Sequence, residues 1–316
     1  MKRAFVFIGF LSILLACTKE VEIDIPGYEE QLVVDGYIET GAPPFVLLST
    51  TKDIYSPTDL EAYLNGFISG AIVTVSNGNK TVQLDEVCSD NLPPGSENFA
   101  ADLFGIPPDE LKDYHLCAYT TFDFDMFGTV GTTYDLSISY EEKTYTSSAK
   151  ILEPVGFDSV YWKPVGEAGK YGYSWAFLSD PGDQYNAYFW EVKRINKDSS
   201  GNDRDGIFKA PFNPAFDDEF VNGTSFEFGV VNPMSFEEGD GPQEARGYYT
   251  LGDSVVIKFS SLDRDIYDYY ESKYVQLGNA GSPFAVPSNL KSNIKGGALG
   301  VWAAFSPNYD TLYCVP

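Results

Sequence analysis

Short apolar runs of strand-like periodicity, separated by turn residues, fill the chain from Gln31 onward. Leu32-Val33-Val34-Asp35-Gly36-Tyr37-Ile38 is the first and Phe45-Val46-Leu47-Leu48 the second. Ala71-Ile72-Val73-Thr74-Val75 and Thr81-Val82-Gln83-Leu84 flank Asn77-Gly78-Asn79, residues that tolerate positive φ, so a hairpin is expected there. Tyr134 to Tyr140 alternates strictly, which places Tyr134, Leu136, Ile138 and Tyr140 on one face. A second set of runs covers Val160-Tyr161-Trp162, Tyr171 to Phe177, Tyr188 to Ile195, Ser225 to Val231, Ser254 to Phe259 and Ala298 to Phe305. Helical spacing interrupts the pattern twice. Thr58-x-x-Glu61 has capping-box spacing before a short turn that Gly66 could end. Ser260-x-x-Asp263 has the same spacing ahead of Leu262, Ile266, Tyr269, Tyr270, Lys273 and Leu277, predicting one amphipathic helix over 262–277.

The pattern predicts a mainly β protein of two domains. Residues 29–153 are expected to form an Ig-like or transthyretin-like sandwich. Glu153-Pro154-Val155-Gly156 interrupts pairing and marks the boundary, and residues 154–316 are expected to form a second β-sandwich-like domain with the helix packed on it.

The first residues follow a different logic. Lys2 and Arg3 precede an apolar run from Phe5 to Leu15, and Leu14-Leu15-Ala16-Cys17 closes it as a lipobox. That run is too short to span a bilayer, which takes about 20 apolar residues. Residues 1–16 therefore read as a lipoprotein signal peptide, Cys17 as the lipidated first residue of the mature chain, and 17–28 as a tether. Each buried acyl CH₂ contributes roughly 0.8 kcal/mol, so a multiply acylated cysteine anchors a protein to a membrane it does not cross. The stretch Lys19-Glu20-Val21-Glu22-Ile23-Asp24 resembles the surface-export signal of Bacteroidota lipoproteins; a solvated tether of alternating charge is the other reading.

Charge narrows the partners. The chain carries 46 acidic against 21 basic side chains, and removal of residues 1–16 would take away two of the basic ones and no acid. Such a surface repels nucleic acid. Cys88 and Cys117 bracket a Pro- and Gly-rich segment, and in an oxidising compartment they are candidates for a loop-closing disulfide, leaving Cys314 as the odd thiol.

Candidate chemistry is sparse. His115 is the one histidine, so a His-rich zinc site cannot be built and any His-dependent triad would rest on that residue; it reads as structural or incidental. Paired carboxylates stay open as a hydrolase reading, because many acids make coincidental pairs. Asp198-Ser199-Ser200-Gly201-Asn202-Asp203-Arg204-Asp205-Gly206 invites a calcium reading, but Arg204 sits among the acids and no Glu closes the loop, so a solvated hairpin loop is the better account. No cofactor other than the lipid on Cys17 is expected.

Aromatics offer the best binding candidates. In Tyr171-Gly172-Tyr173-Ser174-Trp175-Ala176-Phe177 every odd position carries a ring, and a strand puts Tyr171, Tyr173, Trp175 and Phe177 on one face. That face is either a stacking platform or an inward-facing core, and the core is the favoured expectation. Phe122-Asp123-Phe124-Asp125-Met126-Phe127 alternates in the same way and is likewise expected to be core.

Several motifs in order resemble a family of Bacteroidota outer-membrane lipoproteins of unknown function, domain of unknown function family 4249. They are the lipobox with its acidic tether to Pro26; Leu32 to Ile38 with Pro44 to Leu47; Gly70 to Val73; Asp158-Ser159-Val160; Gly252 to Val255, leading into Ser261 to Asp263 and Tyr267 to Tyr270; and Ser292-Asn293-Ile294-Lys295-Gly296-Gly297-Ala298-Leu299-Gly300-Val301, the most specific. The resemblance implies an address on the outer membrane beside a TonB-dependent transporter, and it brings no catalytic residues. The function expected is that of a non-enzymatic accessory of such a transporter, with glycan or peptide capture as the alternative.

Overall fold

The computed structural model describes residues 29–52, 60–104, 106, 108–166, 168–197, 201, 203–236, 243–279 and 290–315. The expected signal peptide, the expected lipidation site Cys17, the expected tether and the expected cap at Thr58 lie outside the described residues. The strands in chain order are β1 (Leu32–Glu39), β2 (Phe45–Thr50), β3 (Ile72–Ser76), β4 (Thr81–Gln83), β5 (Asp85–Cys88), β6 (Cys117–Thr120), β7 (Thr133–Tyr140), β8 (Lys143–Lys150), β9 (Ser159–Val165), β10 (Tyr171–Ser179), β11 (Ala187–Arg194), β12 (Ala215–Asp217), β13 (Ser225–Val230), β14 (Tyr249–Thr250), β15 (Ser254–Leu262) and β16 (Leu299–Tyr313).

Among the described residues the fold is mainly β, in three sheets. One sheet runs β12-β11-β15-β16-β1-β2-β6-β5, a second β4-β3-β7-β8, and the third β13-β10-β14 with β9 also on β10. One apolar core joins Val34, Ile38, Val46 and Leu48 to Val73, Val75, Leu136 and Ile138, and so packs the β4-β3-β7-β8 sheet against the β1–β2 end of the long sheet. A second core joins Ala176 and Leu178 to Tyr188, Trp190, Val255, Ile257 and Phe259, and packs the third sheet against the β11–β15 end. The result is two sandwiches side by side.

β16 belongs to both. Its first half, Leu299 to Phe305, pairs in parallel with β1, and its second half, Ser306 to Tyr313, pairs antiparallel with β15. The expected boundary at Glu153-Pro154 therefore separates the two sequence stretches but not the sheets: the first sandwich takes its strand beside β1 from the far end of the chain. The sequence pattern ends this strand at Phe305, but the strand runs on to Tyr313, with Pro307 in the middle of the ladder opposite Ser260.

The close fit at β16 has local causes. Gly300 has φ +110°, and a Cβ there would lie 1.9 Å from the Val34 carbonyl oxygen, so only glycine meets both the backbone conformation and the approach. Trp302 is fully buried, and its indole N–H donates to the Tyr134 carbonyl across the sandwich at 2.9 Å.

The helix spans Arg264–Asn279, shifted from the expected 262–277. Leu262 and Ser260 remain in β15, and the cap is Asp263, whose Oδ1 accepts from the Ile266 N–H at 3.0 Å. The helix buries Ile266 and Tyr269, and Tyr270 meets the rings of Phe189 and Phe305, so it covers the long sheet where the sandwiches join. On the same side, the Lys258 ammonium is held by Glu39 and, at 3.0 Å, by Glu191, while the Tyr309 hydroxyl donates to Glu39 at 2.9 Å. These four side chains come from β15, β1, β11 and β16.

Candidate functional site

The third sheet has one face in the core and one outside. Along β10 the small or aliphatic residues Ser174, Ala176 and Leu178 are buried, whereas Tyr171, Tyr173 and Trp175 are half-buried and Phe177 is 37% exposed. This corrects the favoured expectation that the ring face is core. The cause lies in the partner sheet: Tyr188, Trp190 and Phe259 supply the large rings of that core, leaving room for only small residues from the middle of β10.

Neighbouring strands extend the outward row. Register places Tyr161 opposite Trp175 and Lys163 opposite Tyr173 on β9, and Gly229 opposite Trp175 on β13. The indole lies flat on Gly229, where a Cβ would come within 3.0 Å of it. Lys163 reaches over the ring, 3.8 Å from the centroid, and its Nζ is 2.8 Å from Glu227 Oε2. A cation over an indole stabilises by about 0.5–2 kcal/mol. Tyr173 packs on Tyr248 with centroids 4.7 Å apart, and that neighbouring hydroxyl, together with burial, holds the Tyr173 phenol above its usual range. The face thus offers aromatic rings with the Lys163 and Lys170 ammoniums and the Glu227 carboxylate among them, suited to a flat or ring-bearing partner. The alternation in β10 exposed the row at sequence level; Lys163 and Glu227 were missed because their adjacency arises from pairing across three strands.

A second surface forms at the β5–β6 edge of the long sheet. Cys88 and Cys117 are opposed across these strands and joined by a disulfide. The bond closes a sequence separation of 29 residues, which in the chain-entropy model stabilises by roughly 3–4 kcal/mol. The enclosed segment has its own small core of Ala100, Ala101, Phe104, Ile106, Leu111 and Leu116, including the short helix Glu97–Phe104. Between this segment and the outer face of the sheet lies an apolar groove of about 340 Å³, with Tyr37, Phe45, Leu92, Leu103, Phe104 and Phe122 in its lining. Phe122 is 64% exposed and Phe124 81%, with Phe124 starting a single 3₁₀ turn rather than a strand; of the alternating 122–127 stretch, Met126 is the fully buried member. The expectation that this stretch is core is therefore corrected.

These surfaces fall within one recognised family. The chain belongs to the family described as Domain of unknown function (DUF4249), whose model matches residues 18–308. No curated protein matches the chain. The match covers both sandwiches of this DUF4249 protein, the aromatic face and the disulfide-closed segment. The structure also gives the most specific of the motifs a role. Asn293 accepts from the Trp302 N–H through Oδ1 and donates to the Trp302 carbonyl through Nδ2, both at 2.9 Å, while its own carbonyl accepts from the Ser147 hydroxyl. Lys295 exchanges backbone hydrogen bonds with Thr146. The motif ties β16 to the edge of β8, and its glycines serve packing and turns.

The other candidate chemistry is engaged structurally. Of the acids in the 198–206 loop, the described ones are Asp203, which pairs with Lys193 and Lys197, and Asp205, which takes Arg194 in a buried two-point bridge at 2.7 and 2.9 Å. Both carboxylates thus already have cationic partners in place of calcium. Cys88, His115 and Cys117 bring their ligand atoms within 4.8 Å of one another, but the two sulfurs are bonded to each other and so are not thiolate ligands. Cys314 is buried, and burial pushes its thiol up to about 12. Among the described residues no helix is long and apolar enough to cross a membrane.

Proposed function

We propose that this protein is a non-enzymatic lipoprotein of the Bacteroidota outer membrane, held at the cell surface through Cys17, which acts as an accessory binding or assembly component of a TonB-dependent transporter. The observation that carries the reading is the outward row of Tyr171, Tyr173, Trp175 and Phe177: a β-sheet face of this composition turned away from its own core is a surface made for a partner. The lipobox and acidic tether supply the address, and the acidic surface disfavours nucleic acid and anionic lipid headgroups as partners. Mild detergent extraction of the lipidated full-length protein from its native outer membrane tests the proposal. Recovery with a transporter in fixed ratio is the expected outcome; recovery as a lone monomer at every detergent tried contradicts it.

The same face supports a second reading, capture of a glycan or peptide by stacking. For a sugar to stack on Trp175, Lys163 has to swing off the ring. Binding of neutral oligosaccharides that strengthens in Lys163→Ala would favour this reading over the protein-partner one.

A further inference from the structure

Beside the groove lies a separate, more polar cleft of about 320 Å³, lined by Glu86, Cys88, Asp90, Asn91 and His115 among others. His115, the one histidine of the sequence, is exposed. Its Nδ1 is 2.9 Å from Asp90 Oδ2 and its Nε2 is 3.5 Å from Cys117 Sγ. Carboxylate, imidazole and sulfur thus stand in sequence, the arrangement by which an imidazole supports a thiolate. The two sulfurs differ in access: Cys88 lines the cleft, whereas Cys117 is buried. The enclosed segment also has an apolar core of its own, so it does not depend on the disulfide alone.

We propose that this cleft is a reversible thiol-capture site for a small neutral thiol or a cysteinyl peptide. The incoming thiol loses its proton to solvent, and its thiolate attacks Cys88 Sγ from the cleft. A mixed disulfide forms, the Cys88–Cys117 bond breaks, and its electron pair leaves on Cys117 Sγ, which faces Nε2 of His115. One S–S bond replaces another, so no oxidant or reductant is consumed. Return attack by Cys117 on Cys88 releases the thiol. Asp90 is a positioning residue, holding Nδ1 so that Nε2 faces the sulfur. The site is independent of the transporter reading and involves no turnover chemistry.

The full-length protein incubated with N-acetylcysteinamide tests this, read by intact mass and peptide mapping. One adduct on Cys88 with a free thiol on Cys117 is expected. His115→Ala should slow its formation by about tenfold or more, and Asp90→Asn by less, with unchanged melting temperatures because both side chains are largely exposed. Corrected for thiolate concentration, the pH profile of the rate should differ between wild type and His115→Ala, with Asp90 and Glu86 the charged groups of the cleft. An adduct that forms only after denaturation, or equal rates in wild type and His115→Ala, would overturn the proposal.

Discussion

Lys258 shows how much one residue carries at the seam between the sandwiches. Burial alone would lower its pKa, but the Glu191 and Glu39 carboxylates outweigh burial and hold the ammonium above its ordinary value of 10.5. Its contribution to stability is therefore complete below about that pH and is lost as pH rises through the higher folded value. Burial pushes Glu191 up, against the pull of the same lysine. Lys258→Met removes the cation that holds the two largely buried carboxylates of Glu39 and Glu191. Urea denaturation at neutral pH should show a loss of about 3–5 kcal/mol, the cost of an uncompensated buried charge. Acidification should recover part of that loss in the variant, because a protonated Glu191 needs no cation. An unchanged midpoint at neutral pH would mean that the cluster does not hold the seam.

At the scale of elements, the pairing of Asn293 with Trp302 joins the 290s segment to β16. Asn293→Ala leaves the Trp302 N–H and carbonyl without these partners and should cost about 2 kcal/mol in thermal or chemical denaturation. A change within a few tenths would show that water replaces the side chain. Strands with clean alternation were legible in the sequence: β1, β7 and β10 lie where their periodicity puts them, and the Asn77-Gly78 turn joins β3 to β4. Short strands were not. β5, β6, β12 and β14 have two to four residues and carry too little pattern to stand out, and the second half of β16 hides behind a proline. The orientation of β10 was misread for a further reason. Alternation divides residues between two faces but does not say which face is inside, and that choice was made by the large side chains of β11 and β15. Capping was half legible: the Ser260–Asp263 spacing located the helix start, but the residue that caps is Asp263 itself.

For the molecule as a whole, β16 makes the two sandwiches interdependent. A fragment of residues 29–153 lacks Leu299 to Phe305 and leaves β1 with an open edge and Trp302's place in the core empty. Expressed alone, it should fail to give a cooperative unfolding transition, whereas adding residues 290–316 through a flexible linker should restore one; a well-folded fragment would refute the interdependence. The interlock joins the sandwich that carries the aromatic face to the sandwich that begins with β1, which the proposed lipid anchor precedes. The most direct measurement is the amount of TonB-dependent transporter recovered with the full-length protein, wild type against Tyr173→Ser/Phe177→Ser, at equal expression and equal melting temperature. The account predicts a transporter in fixed ratio with the wild type and a loss of about tenfold or more with the double variant, since exposed aromatic anchors of this kind carry about 2 kcal/mol or more of a binding interface. Equal recovery from both, or no transporter with either, would contradict it.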